Sequence, residues 1–158
     1  MPPLIRPATS ADRGALGRLG AELVRVHHAL DPLRFFLEEP LEHGYGRWLS
    51  KESERREAVV LVAEVDGAVV GYAYGSLVER DWAALRDACG ALHDVLVDEG
   101  QRRTGLATLL VQEACARLEA LGAPRVVLST AAGNEAAQRL FDRLGFRRTM
   151  IEFTREGR

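Results

Sequence analysis

Between Val95 and Thr108 the chain reads Val-Leu-Val-Asp-Glu-Gly-Gln-Arg-Arg-Thr-Gly-Leu-Ala-Thr. An apolar run ends in an acidic turn, two arginines follow, and a helical pattern opens at Gly105. The chemistry these residue types allow is anion binding. Free amides in the first turn of a helix point at whatever lies there, and the helix dipole makes that end positive. Gly105 lacks a Cβ and Ala107 is small, so a phosphate can approach the backbone closely. Arg102 and Arg103 add charge to the turn, and a pyrophosphate is the natural guest. The plain alternative is a strand–turn–helix unit whose glycine serves tight packing. No phosphate loop competes, since no Gly-Lys-Ser/Thr is present. Gly14, Gly17 and Gly20 fit no dinucleotide template and read as helix-packing or fraying positions.

A second pattern stands about thirty residues further on, as Asn134, Ala137, Leu140, Phe141, Gly145 and Phe146. With Arg102-Arg103-Thr104-Gly105-Leu106-Ala107 before it, the chain resembles the GCN5-related N-acetyltransferase family. The first motif matches Arg/Gln-x-x-Gly-x-Gly/Ala, and the second matches Asn-x-x-Ala-x-x-Leu-Tyr-x-x-x-Gly-Phe. The Asp66-Gly67 hairpin with Gly71 and the Ile5-Arg6-Pro7-Ala8 opening also agree, so the resemblance covers essentially the whole chain.

The resemblance implies acetyl transfer from acetyl-CoA to the primary amine of a small molecule or peptide, by direct attack and without a metal. It implies a single N-acetyltransferase domain over 1–158, with a mixed sheet splayed apart at the coenzyme and helices on both faces. Backbone groups of Val95, Leu96 and Val97 would hold the pantetheine arm. Arg102, Arg103, Thr104, Gly105, Leu106, Ala107 and Thr108 would hold the pyrophosphate. Asn134 and Phe141 would line the other side of the coenzyme. Where the family often carries a tyrosine acid near the thiol, this chain has Phe141, which cannot donate a proton. A catalytically weak acyl-CoA-binding or sensing module is therefore the alternative reading. Members of this family are often dimers, which leaves a homodimer open by analogy alone.

Acetyl transfer needs a neutral amine, so a base must take its proton. Some polyamine acetyltransferases place a glutamate where His93 stands here, and imidazole titrates near neutrality. His93 is thus the candidate base, or else a half-buried histidine satisfied by a backbone carbonyl. Strict alternation along Leu92–Val97 puts His93, Val95 and Val97 on one face and Asp94 and Leu96 on the other. Asp94 is a candidate site for a cationic amine, or a loop cap. Phe35, with Phe36 and Trp48, lies in the segment that covers the acceptor in this family; lid and core packing is the favoured reading of these rings, with acceptor binding the alternative. His27 and His28 point to different helix faces and make a poor metal pair. No His-Glu-x-x-His or Cys-x-x-Cys occurs, and no metal is expected.

The elements that must position these residues follow from periodicity. Leu4-Ile5-Arg6 reads as a strand. Leu16, Leu19, Leu23 and Val26 form one stripe of a helix over about 11–29, with Ser10 as its cap. A second helix is expected near 40–51. Asp66-Gly67 between Ala58–Val65 and Ala68–Tyr74 signals a tight hairpin. Residues 79–90 read as a polar, helix-compatible connection, and 91–98 as a strand. A helix follows over 104–121, closed by Gly122 and Pro124. A strand at 125–130, a helix capped by Asn134, and a final strand at 146–154 complete an α/β chain with a mixed sheet.

Composition narrows the class. The 158 residues suit one domain; 47% are hydrophobic and 28% charged, enough for a core and a solvated surface. Lys and Arg number 21 against 23 Asp and Glu, a net charge of −2, so no basic excess points to nucleic acid. No run approaches the roughly 18 apolar residues of a membrane helix. Two cysteines, Cys89 and Cys115, make no disulfide framework, which fits a soluble cytoplasmic protein.

Overall fold

The hairpin signal at Asp66-Gly67 organises the sheet. In the computed structural model, which describes residues 2–158, Asp66 and Gly67 take φ of 50° and 80°. These left-handed values match the twist of two antiparallel strands. The strands they join are β2 (Ala58–Val65) and β3 (Ala68–Val78). β1 (Leu4–Pro7) pairs antiparallel with β2, and β4 (Cys89–Val97) pairs antiparallel with β3. β5 (Val126–Leu128) lies parallel beside β4, and the sheet order is β1-β2-β3-β4-β5.

Among the described residues, four α-helices cover the sheet. α1 (Arg13–Leu30) and α2 (Glu42–Ser53) occupy one face, where Leu16, Leu19 and Leu49 pack on Val60, Val62, Tyr72, Tyr74 and Leu96. α3 (Leu106–Ala120) lies on the other, with Leu106, Leu110, Val111, Ala114 and Leu118 against Leu61, Ala63, Ala73, Leu92 and Val97. Phe141 and Leu144, from α4 (Glu135–Arg143) and the residue after it, join that second core. Leu110 and Leu118 are fully buried, so truncating either to alanine costs about 2–5 kcal/mol.

The seam between α1 and α2 depends on the glycines of α1. A Cβ on Gly17 would lie 2.2 Å from the Glu42 carbonyl oxygen, and one on Gly20 would lie 2.0 Å from the Tyr45 ring. Gly46 returns the contact, since a Cβ there would lie 2.5 Å from the Arg13 carbonyl oxygen. Two helices without side chains at the seam approach closely, and the Tyr45 ring fills the notch over Gly20.

Several sequence expectations change. Ser10 does not cap α1. It enters a single 3-10 turn (Ser10–Asp12), and Asp12 turns back to accept from the Thr9 amide at 2.7 Å, while Arg6 grips its carboxylate at 2.8 Å. Residues 79–88 form no helix. They make the tip of the β3–β4 hairpin, bridged at Asp81 and Arg86. The final strand expected at 146–154 is absent among the described residues. Its residues favour a strand, but a strand forms only against a bonding neighbour, and this segment has none among the described residues.

Candidate functional site

The parallel pairing of β4 and β5 stops early. Gly90, Ala91 and Leu92 face Val126, Val127 and Leu128, and β4 then continues alone on that side through His93–Val97. The outer backbone groups of that stretch have no strand to bond. One of them is already used: the Val97 carbonyl accepts from Arg102 Nε at 3.4 Å.

β4 ends at the turn that opens α3. Gly105 is the N-cap, with φ 87° and no side-chain cap, and the first helical bond runs from the Leu109 amide to the Gly105 carbonyl at 3.1 Å. The amides of Leu106, Ala107 and Thr108 therefore lack a carbonyl within the helix. No heavy atom lies within 4 Å of the place a Gly105 Cβ would take. Arg103 is exposed, at φ 62°. Arg102 is exposed as well but lies 3.6 Å from Glu22 of α1, and Thr104 closes the turn onto the Gln101 carbonyl at 2.6 Å. Bare amides, an uncovered glycine and a free cation suit a pyrophosphate, and the unpaired β4 edge suits an amide-bearing arm.

At the point of divergence β4 carries a bulge. Tyr74 pairs with Asp94 and Gly75 with Leu92, leaving His93 as the extra residue. The bulge overturns the alternation expected from sequence. Leu92 and Val95 pack on the α3 face, while both His93 and Asp94 turn toward the α1–α2 face. Bulges re-aim side chains in this way by letting two residues oppose one.

The two side chains meet an aromatic cluster. His93 stacks on Tyr74 at 4.9 Å, and its Nε2 lies 2.8 Å from Ser76 Oγ. Partial burial pushes its pKa below the ordinary 6.5. Asp94 is buried, and the hydroxyls of Tyr45 and Tyr72 both donate to its Oδ2 at 2.9 Å. Oδ1 keeps its lone pairs for another donor. Burial raises the Asp94 carboxyl from its ordinary value, against the pull of the two phenols and the nearby His93 and His27. The same burial, with the Asp94 charge, raises Tyr45 and Tyr72, so both stay neutral donors.

Trp48 packs edge-on to Tyr45 and Tyr74 at 5.4 and 5.1 Å. Tyr74 in turn donates to buried Glu52 at 2.6 Å, which Arg55 also holds. Phe35 lies edge-on to His27, their rings 5.0 Å apart. His27 and His28 do separate jobs, as their adjacent positions imply. His27 Nδ1 bonds the Leu23 carbonyl and His28 Nδ1 the Phe35 carbonyl, each at 2.8 Å.

Asn134 caps α4, accepting from the Ala137 amide at 3.1 Å. Phe141 lies edge-on to Phe146 at 5.7 Å against the α3-side core. Tyr45, Ser76 and Glu52 are cluster members that the sequence reading did not select. The one available signal for Tyr45 was its position among glycines, Gly44-Tyr45-Gly46, opposite the Gly17 and Gly20 pair.

The sequence model of the acetyltransferase (GNAT) family matches residues 23–146. Mycothiol acetyltransferase of Thermobispora bispora is 29% identical over 126 residues, spanning 75% of this chain and 41% of that protein. The L-methionine sulfoximine/L-methionine sulfone acetyltransferase of Pseudomonas aeruginosa is 32% identical over 101 residues, 63% of this chain and 56% of that protein. The chain thus spans about half the length of the curated relatives it matches. Among solved structures, the aminoglycoside N-acetyltransferase AAC(6')-Iy in complex with CoA superposes with a TM-score of 0.78 at 17% identity, covering 99% of this chain and 95% of that one. A variant of the BH1408 protein from Bacillus halodurans gives 0.80 at 20% identity, covering 97% and 99%.

Proposed function

The chain belongs to the GNAT acetyltransferase family, and from that premise we propose that it transfers the acetyl group of acetyl-CoA to the primary amine of a small molecule or peptide. The observation that carries the reading is the parting of β4 from β5 at Leu92, directly before the uncapped start of α3. Acetyl-CoA, when bound, supplies the activated acyl group. The unpaired edge of Val95–Val97 would hold its pantetheine arm, and Arg103 with the amides of Gly105–Thr108 its pyrophosphate.

The chain's own residues divide the remaining work. Asp94 Oδ1 receives the acceptor's ammonium, with Tyr45 and Tyr72 fixing the carboxylate through Oδ2. His93 takes the proton, since a lowered pKa leaves its imidazole neutral at pH 7. A backbone amide at the bulge would donate to the developing oxyanion. No tyrosine acid stands at Phe141, and a thiolate is a good enough leaving group to be protonated by water.

The test is free-thiol release from acetyl-CoA with a panel of amines, including aminoglycosides, polyamines, amino acids and peptides. Release with any member supports the reading. Tight coenzyme binding without release across the panel transfers the weight to acyl-CoA sensing. Absence of coenzyme binding removes both.

A further inference from the structure

A line of hydrogen bonds on the α1–α2 face of the sheet can run in only one direction. It starts at Glu52, whose Oε2 is gripped by Arg55 at 2.6 Å. Glu52 is 8% exposed, and as a carboxylate it accepts hydrogen bonds and donates none. The Tyr74 hydroxyl, 2.6 Å from the same oxygen, must therefore be the donor. Burial, and next the bond to Glu52, raise the pKa of that phenol, so it stays protonated. With its own proton committed, the Tyr74 oxygen can only accept. Ser76 acts on it as a hydrogen-bond donor and pulls its pKa the other way.

Sheet geometry brings His93 to the end of that line. Tyr74 and Ser76 alternate along β3 onto one face, and both are buried. Opposite them β4 bulges, and the extra residue is His93. Its ring stacks on Tyr74 at 4.9 Å with a tilt of 30°, while Nε2 sits 2.8 Å from Ser76 Oγ. The stack fixes the plane of the imidazole, and the Ser76 contact fixes which edge points inward. Ser76 is 4% exposed whereas His93 keeps contact with solvent, so Nε2 is the inner nitrogen and Nδ1 the outer one. A hydroxyl that gives its only proton to Tyr74 must receive one from Nε2.

Resting on the acetyl-transfer reading above, we propose that Glu52, Tyr74 and Ser76 are positioning residues that hold neutral His93 in its Nε2–H tautomer, so that the base is Nδ1. The Nδ1 lone pair forms the new bond to hydrogen, and the N–H bond of the acceptor's ammonium breaks and leaves its electron pair on the amine. The imidazolium so formed keeps its Nε2–H on Ser76. No proton moves along the line; each hydroxyl keeps its own, and the line sets direction only. The opposite tautomer would put a proton on Nδ1 and leave the outer edge without a base. A carboxylate that orients a histidine through its second nitrogen is the logic of the hydrolase triad, here carried across two hydroxyls.

Long-range proton–nitrogen correlation spectra of the full chain, with isotope-labelled histidine and at a pH well above 6.5, report the tautomer directly. The signal lost in His93→Gln identifies His93, and in the parent its proton should sit on Nε2. Tyr74→Phe keeps the stacked ring but frees the Ser76 proton to turn toward Nε2. It should move the His93 proton to Nδ1 and lower kcat by about 10-fold or more, toward the ~100-fold of losing the base, with the amine KM nearly unchanged. A parent with its proton on Nδ1 would overturn the proposal, a result that needs no variant to fold. So would a folded Tyr74→Phe protein that keeps the Nε2–H tautomer, or one whose tautomer moves while kcat holds. Thiol release by an Nδ1–H parent would refute this line of bonds and leave acetyl transfer standing. An Nε2–H parent that releases no thiol with any amine would instead refute acetyl transfer, and the role of Nδ1 as base with it.

Discussion

Burial moves two neighbouring side chains in opposite directions: the Asp94 carboxyl goes up and the His93 imidazole goes down. Each loses its charged form to desolvation, and that form is the anion in one and the cation in the other. For His93 the consequence is kinetic. A base must be neutral, so kcat/KM should fall in acid along a limb lying below pH 6.5. His93→Gln should erase that limb and lower kcat by about 100-fold, with coenzyme affinity nearly intact. A folded variant that keeps the limb would remove His93 as base. For Asp94 the consequence is thermodynamic as well. A carboxyl raised on folding binds more protons folded than unfolded, so its contribution to stability falls as pH rises from its ordinary 3.8 through the raised value. Asp94→Asn should therefore melt higher at pH 7, an advantage that shrinks as the pH approaches 4. It should also raise KM for a cationic amine by about 10-fold or more, the loss of one charged hydrogen bond, while KM for acetyl-CoA holds.

At the level of elements, the proposed acceptor side is set by how closely α1 approaches α2. Tyr45 reaches Asp94 because Gly20 leaves room for its ring. Gly20→Ala should displace that ring, at a cost of about 1–3 kcal/mol for an overpacked contact. Chemical denaturation would show the loss, and the amine KM should rise in parallel with that of Tyr45→Phe. If Gly20→Ala is destabilised but leaves the amine KM unchanged, Tyr45 does not position Asp94. The start of α3 makes a separate prediction. Gly105 combines a φ of 87° with open space around its missing Cβ. Gly105→Val should fill that space and strain the turn by about 1–2 kcal/mol. Calorimetry should then find coenzyme affinity reduced at least tenfold in a protein that still folds. Equal affinity would move the pyrophosphate elsewhere.

For the molecule as a whole, the proposed coenzyme side joins the two layers of the fold. Asp98, at the end of β4, is gripped by Arg18 of α1 at 2.7 Å, and Arg102 pairs with Glu22 one turn along. The turn before α3 is therefore fastened to the helix that shapes the acceptor side. A ligand seated there should stabilise the folded state globally. At a hundredfold excess over its dissociation constant, coenzyme A should add about 2.7 kcal/mol, a rise of roughly 5–10 °C in Tm for a chain of this size. A melting curve that does not move with coenzyme A would separate this fold from its expected cofactor.

By itself the sequence determined what local physics determines. The Asp66-Gly67 turn, the α3 stripe ending at Gly122, the Asn134 cap and the glycine opening α3 were all legible, because each depends on residues within a few positions of one another. The tertiary structure alone decided the rest. The bulge that turns His93 to the side of Asp94 arises from register with β3, on which β4's own alternation is silent. Asp94, Tyr45 and Tyr72 converge from three elements, so no spacing in the chain reports their meeting. The segment 146–154 has the composition of a strand, but a strand is a pairing, and whether a partner exists is a property of the folded assembly.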